Sequence, residues 1–221
     1  MKVLLVEDDA SLREGMGELI SDLAEVRSVG TVTEALAALG SEPFELVVTD
    51  LRIGGGESGG RAVVEAARKR QRAVAIVSAA SPEEVARALR PFIPDGILVK
   101  PFQIEDILGL VERFLEVHRL SEEVARQGQP PTGGWVERGA GVQMVSSAEE
   151  GARAWVRLAR DTRWDWEVRP RGREVVQLLE GELELEGIRH VAPATFFVGA
   201  GQVPEARSAT GCLAVTLGLK G

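Results

Sequence analysis

Tyrosine is absent from this chain, cysteine occurs once and histidine twice. With Cys212 alone no internal disulfide can form, which agrees with a reducing compartment. Two imidazoles, at His118 and His190, offer little to a metal that prefers nitrogen. No stretch approaches the roughly 18 uninterrupted apolar residues of a membrane span. The opening MKVLLVEDD runs straight into a charged cluster, where a secretory signal would have a longer apolar core and a cleavage site. These absences lead to the expectation of a cytoplasmic protein with no membrane segment. A basic excess is missing too. The net charge is −8. Residues 1 to 120 hold 14 Lys and Arg against 20 Asp and Glu, net −6, and residues 121 to 221 hold 12 against 14, net −2. Neither half has the electrostatic footprint of a DNA-binding domain, although arginines at 169, 171 and 173 form a local patch.

What is present suffices for a packed core. At 221 residues and 44% hydrophobic, the chain is long enough for two small domains. From residue 1 to about 120, short apolar runs alternate with amphipathic stretches. VLLV precedes SLREGMGELISDL, EVRSVG precedes VTEALAALG, and ELVVTD precedes GRAVVEAARKR. AVAIVS is followed by PEEVARALR, and GILVK by IEDILGLVERFLEVHRL. Five strand-helix pairs in this order predict a doubly wound parallel sheet, covered on both faces, with its chemistry at the carboxyl ends of the strands. Residues 121 to 134, SEEVARQGQPPTGG, break the pattern with charge, proline and glycine and read as a linker. Beyond it the period becomes two. Arg153, Trp155, Arg157 and Ala159 share one face and Ala154, Val156, Leu158 and Arg160 the other. The Glu-Gly pairs at 180 to 181 and 186 to 187 read as tight turns between short strands. No pair of helices joined by a short turn occurs there, so a helix-turn-helix reader is disfavoured.

In the first half, the predicted strand ends carry Glu7 and Asp8, then Asp50, Ser78 and Lys100. Clustered carboxylates repel one another unless a cation joins them, and a hard oxygen site that keeps waters suits Mg²⁺. Such a site can neutralise an incoming phosphoryl group while a carboxylate attacks in line, with a lysine to pair the phosphoryl oxygens and a hydroxyl to swing toward them. The alternative is a set of unrelated solvated charges at strand ends. The loop LRIGGGESGG lacks the Lys and Ser or Thr of a Walker A motif, since Gly60 and Arg61 stand at those positions; it reads as a mobile active-site loop before a nucleotide cradle.

VLLVEDD, VVTDLR, VSAA and LVKPF resemble, in order and spacing, the strand ends of response-regulator receiver domains. The resemblance covers residues 1 to about 120 and implies a flavodoxin-like fold. It implies that Asp50 accepts a phosphoryl group, that Glu7, Asp8, Asp50 and the backbone carbonyl of Arg52 bind Mg²⁺, and that Ser78 is the switch hydroxyl and Lys100 the phosphate partner. It also implies a cis bond between Lys100 and Pro101. Asp9 reads as peripheral. One departure is Ile97, where the family usually has the aromatic residue whose rotamer reports phosphorylation.

Residues 151 to 219 resemble the cupin fold, more narrowly the C-terminal cupin of zinc-dependent anti-sigma factors, through GREVVQLLEGELELEG, APATFFVGAGQ and SATGCLAVTL. That family binds metal with H-x-H, a Glu four residues on, and a later His. Here Glu167 and Arg169 stand at the paired-His positions, Glu174 is kept, and the later position falls on Pro204. The implied domain, residues 135 to 221, is an all-β cupin-like small barrel without a metal. His118 reads as a solvated or interface residue and His190 as structural before a metal ligand. Glu167, Glu174 and the nearby arginines read as a solvated or salt-bridged face before a small-ligand pocket. Cys212 reads as a buried thiol rather than a nucleophile. The tryptophans of AWVRLARDTRWDW read as core and barrel-mouth packing before an exposed partner patch.

Together the resemblances imply a two-component response regulator, phosphorylated on Asp50 by a histidine kinase or phosphotransfer protein, with a metal-free output domain acting by contact with an unknown downstream protein or by homodimerisation. Enzymatic character is expected only in the receiver's own phosphotransfer and dephosphorylation. The rival reading is a phosphorylation-gated small-ligand sensor or cupin enzyme.

Overall fold

The computed structural model describes residues 1–92, 94–127, 129–146, 153–166, 174–185, 187–198 and 205–218. The chain divides into two compact units, Met1–His118 and Arg119–Gly221.

The first unit alternates strand and helix: β1 Lys2–Val6, α1 Ala10–Ser21, β2 Glu25–Val29, α2 Val32–Ser41, β3 Leu46–Thr49, α3 Glu57–Lys69, β4 Ala73–Ser78, α4 Pro82–Leu89, β5 Gly96–Val99 and α5 Ile104–Gln127, whose residues from Arg119 onward belong to the second unit. The strands form a parallel sheet in the order β2-β1-β3-β4-β5. Every residue of β3 and β4 is buried, as expected of central strands covered by helices on both faces. Local chemistry sets the helix starts. The Asp9 carboxylate accepts from the Leu12 N–H, Thr31 does the same for Glu34, and Ser81 with Glu84 forms a reciprocal capping box ahead of Pro82. Asp9 thus has a structural task at the start of α1. Leu4, Val6, Val47, Val74 and Ile76 project from the sheet into a core closed by Ala35, Leu39, Val63, Ala67, Val85 and Leu89.

Helix α5 runs past the expected boundary and takes up residues 121 to 127 of the stretch predicted as linker. The reason is compositional: SEEVARQ holds no strong helix breaker, Ser121 and Val124 are 4% and 3% exposed, and glycine and proline begin only at Gly128 and Pro130. His118 is consequently inside a helix rather than at its end.

The second unit is antiparallel. Among the described residues its strands are β6 Val136–Gly139, β7 Val142–Ser146, β8 Arg153–Leu158, β9 Thr162–Asp165, β10 Glu174–Leu185, β11 Ile188–Val191, β12 Ala194–Val198, β13 Glu205–Ser208 and β14 Cys212–Gly218. They run β6-β7-β8-β14-β10-β13-β9, with β11 and β12 also on β10. The twelve-residue β10 is the spine of this barrel-like arrangement. Its first half pairs with β12 and β14, its second half with β11 and β13.

Of the two predicted Glu-Gly turns, one is corrected. Glu180 and Gly181 lie within β10 at a bulge, where the register with β14 shifts between Leu178 and Glu180. Gly181 has φ +74, and a Cβ there would stand 2.0 Å from the Gly211 carbonyl oxygen, so only glycine fits the crossing. Of the other pair, Gly187 lies between β10 and β11 with φ +77, and Glu186 lies outside the described residues. Alternation along β8 sends Ala154, Val156 and Leu158 inward. Val156 and Leu158 join a core with Trp166, Val176, Leu178, Leu183, Phe196 and Ala214. No helix among the described residues is long and apolar enough to cross a membrane.

Candidate functional site

Parallel strands bring Glu7, Asp50, Ser78 and Lys100 to one end of the sheet. The backbone fixes that convergence: the Glu7 N–H donates to Val29 O, Asp50 N–H to Val6 O and Lys100 N–H to Ser78 O. Glu7, Asp50 and Ser78 are 2%, 8% and 1% exposed. The Lys100 ammonium donates to Glu7 Oε2 at 2.7 Å and to Asp50 Oδ2 at 2.6 Å, joining residues 93 and 50 positions away in the chain. The other Asp50 oxygen, Oδ1, accepts from the Arg52 N–H at 3.0 Å. Asp8 sits more openly, and its Oδ2 accepts from Gly54 N–H at 2.9 Å. The Lys100–Pro101 peptide is cis.

The electrostatics follow from this packing. Burial pushes the Glu7 carboxyl above the usual carboxylate value, and the nearby Asp50 charge pushes the same way, against the lowering effect of Lys100. Burial also opposes charge on Lys100. Its hydrogen bonds to Asp50 and Glu7 outweigh that effect, so its pKa stands above the ordinary lysine value. The ammonium therefore stays charged and holds two carboxylates together.

Among the described residues no three His, Cys, Asp or Glu side chains stand gathered as a ready metal cage. Asp8 is engaged by Gly54, and Lys100 occupies the space between the other two carboxylates. The donor set still fits Mg²⁺. That ion keeps several waters and takes one or two protein carboxylates, and here two carboxylates share one ammonium while Asp8 adjoins Glu7 in the chain. Glu7, Asp8, Asp50 and the Arg52 carbonyl are the groups that would hold it.

Ser78 ends β4 beside Asp50's strand, and its Oγ accepts from Ala80 N–H at 3.3 Å. Ile97 is half-buried against the core of the unit, an aliphatic filler where an aromatic switch was lacking in the sequence. The glycine-rich stretch, predicted as a mobile loop, forms a turn closed by a bridge between Ile53 and Gly56 and then opens α3. Gly54 and Gly55 have φ +67 and +84, and a Cβ on Gly60 would meet the Asp50 and Leu51 carbonyl oxygens at 2.4 Å. Positive φ accounts for Gly54 and Gly55, and the close carbonyl oxygens account for Gly60.

Two polar contacts were missed in the sequence, one at the site and one at the opposite, amino end of the strands. Arg13 Nη1 donates to the Glu7 carbonyl at 2.7 Å and the Asp8 carbonyl at 3.2 Å, holding the backbone of the acidic pair from α1. Asp95, 1% exposed, pairs with Arg68 at 2.7 Å and accepts from Val74 N–H at 2.8 Å. Neither belongs to a motif, and only the return of α1 and α3 onto the sheet brings each arginine to its acceptor.

In the second unit, Glu167, Arg169, Arg171, Arg173 and Pro204 lie outside the described residues. Glu174 opens β10, is 6% exposed, and accepts from the Trp166 indole N–H at 3.4 Å. His190 is 6% exposed, with its ring stacked 3.9 Å from that of Phe196. Burial drives its pKa down to about 4, so it is neutral near pH 7. Burial likewise pushes the Cys212 thiol up to about 11, which suits a packed residue and not a nucleophile. The packing reading of the tryptophans holds for Trp166, 1% exposed, with Trp164 tilted against it at 5.0 Å, and for Trp155, 9% exposed.

Residues 3–112 match the family model described as the response regulator receiver domain. The transcriptional regulatory protein PdtaR of Mycobacterium tuberculosis is 29% identical over 167 residues, spanning 72% of this chain and 81% of that protein. Among solved structures, the receiver domain of the Francisella response regulator 1452 covers 53% of this chain and 98% of its own at 22% identity and a TM-score of 0.47. The chemotaxis response regulator CheY4 of Vibrio cholerae covers 51% and 97% at 25% identity and 0.46.

Proposed function

We propose, from the premise that residues 3–112 form a response regulator receiver domain, that Asp50 accepts a phosphoryl group from a phosphohistidine of a histidine kinase or phosphotransfer protein. The observation that carries this reading is the Lys100 ammonium, 2.6 Å from Asp50 and 2.7 Å from Glu7 at the carboxyl end of the sheet. An Asp50 carboxylate oxygen attacks phosphorus, the N–P bond breaks, and the departing imidazole takes up a proton. Lys100 pairs with the oxygens of the new acyl phosphate, and the Ser78 hydroxyl turns from Ala80 toward them. Glu7, Asp8, Asp50 and the Arg52 carbonyl would hold Mg²⁺, which would supply charge neutralisation at the phosphoryl oxygens. Incubation with phosphoramidate and Mg²⁺ should add one phosphoryl mass to the full chain. Asp50→Asn should remove it, and labelling of that variant at equal rate would end the assignment.

The β unit is assigned an output role through contact with a protein partner or a second copy, as a cupin-like barrel whose interior serves packing. Trp166, Phe196, Leu178 and Leu183 fill its core, which supports contact over a catalytic cavity. The name of the mycobacterial relative carries transcriptional regulation. In this chain the net charge of −8 opposes direct duplex binding, so an output of that kind runs through protein contact. Light scattering with Mg²⁺ alone and with beryllofluoride added, with Asp50→Asn as control, tests whether the receiver drives self-association.

A further inference from the structure

The outer face of β10 carries a row of charges that the receiver chemistry does not use. Leu183 and Leu185 turn into the core, so Glu182 and Glu184 turn away from it. Register sets Arg207 of β13 opposite Glu184 on one side and Arg189 of β11 opposite it on the other, while Arg163 of β9 stands opposite Arg207. Two of these arginines are engaged. Arg189 Nε donates to Glu182 Oε2 at 2.8 Å, and Arg163 Nε lies 3.1 Å from Glu205 Oε1. Glu184 and Arg207 are left over. Cross-strand neighbours of opposite charge normally pair, yet among the described residues these two form no ion pair. They line, with Glu182, Arg189 and Ala209, a cleft of about 300 Å³.

From this geometry we infer that the cleft binds a small zwitterion of the α-amino-acid class. Arg207 takes the ligand carboxylate with its forked guanidinium, and Glu184 takes the ammonium. A free anion would meet Glu182 and Glu184, and a free cation would meet Arg189 and Arg207. A molecule carrying both charges a few bonds apart satisfies both uncommitted groups and leaves the cleft neutral, and the volume suits a ligand of that size. The inference stands apart from phosphorylation, since every residue it uses lies on the β unit.

The test is calorimetric titration of the full chain with each L-amino acid in turn, then with the N-acetyl and carboxamide derivatives of any that binds. Removing one charge-assisted contact should weaken binding about 10- to 100-fold, for Arg207→Met and Glu184→Gln alike. The carboxamide should lose no further affinity in Arg207→Met, nor the N-acetyl form in Glu184→Gln. Asp50→Asn should bind as the unaltered chain does. Circular dichroism and the melting midpoint confirm that the variants fold. The inference is overturned if no amino acid binds, if both variants bind undiminished, or if sulfate competes fully, which would make the cleft an anion site only.

Discussion

In the N-terminal unit Glu7, Asp50 and Lys100 are buried against one another, whereas in the C-terminal unit His190 is buried against the Phe196 ring and Cys212 within the apolar core. Glu7, Asp50 and Lys100 lose water together and form a charged cluster whose lysine is held above its ordinary pKa. At His190 and Cys212 burial is the dominant influence, and it drives each toward its neutral form. Desolvation is common to both places, and the partner decides the outcome. A charged buried cluster is chemically usable, whereas a neutral buried imidazole or thiol serves packing.

The sharpest way to break that contrast is Asp50→Asn, which should abolish phosphoryl uptake by intact-protein mass while leaving the unfolding of the β unit unchanged. All four tryptophans lie between residues 135 and 166, so their fluorescence reports that unit alone. Next in size, Trp166→Ala should lower the stability of the β unit by about 3–5 kcal/mol in denaturant titration, the usual cost of emptying a buried aromatic site. It should spare phosphorylation. Lys100→Ala should slow labelling by about 100-fold, since it removes the cation aimed at the phosphoryl oxygens. Its fluorescence melt should match that of the unaltered chain.

The pH dependence is smaller and belongs to the β unit. His190 has a folded pKa of about 4 against 6.5 ordinarily. Between those values the unfolded chain binds the proton more readily, so stability falls as pH drops through the window. The loss should reach about 3 kcal/mol near pH 4, and His190→Leu should flatten the curve across it. A curve equally steep in the variant would show that another group carries the dependence. Least of all, Cys212 should resist iodoacetamide near pH 8 in the folded chain and react only on unfolding, because burial holds its thiol near 11.

Much of the receiver was legible because parallel strands buried on both faces leave uninterrupted apolar runs, and the polar residue that ends each run marks the site. Glu7, Asp50, Ser78 and Lys100 could be named before any fold was known. Arg13 and Asp95 could not, since their partners come from helices packed back onto the sheet, a relation that no local spacing records. The chain divides at His118 and Arg119, close to the expected end of the first domain, but residues 121 to 127 were misread as linker because charge alone resembles one, while the burial of Ser121 and Val124 exists only in the folded chain. In the β unit, Glu-Gly signalled a turn at 180 to 181 as it did at 186 to 187. Only the close passage of Gly211 shows the first to be a bulge in a continuous strand.

The sequence by itself determined the alternation of strand and helix, the change to a period of two, and the identity of the acidic and basic strand ends, because each depends on residues near one another in the chain. Tertiary structure alone decided that one ammonium joins Glu7 to Asp50, that His190 stacks on Phe196, and that Glu184 and Arg207 face each other unpaired. Those relations join residues from 6 to 93 positions apart, and strand order and register bring them together.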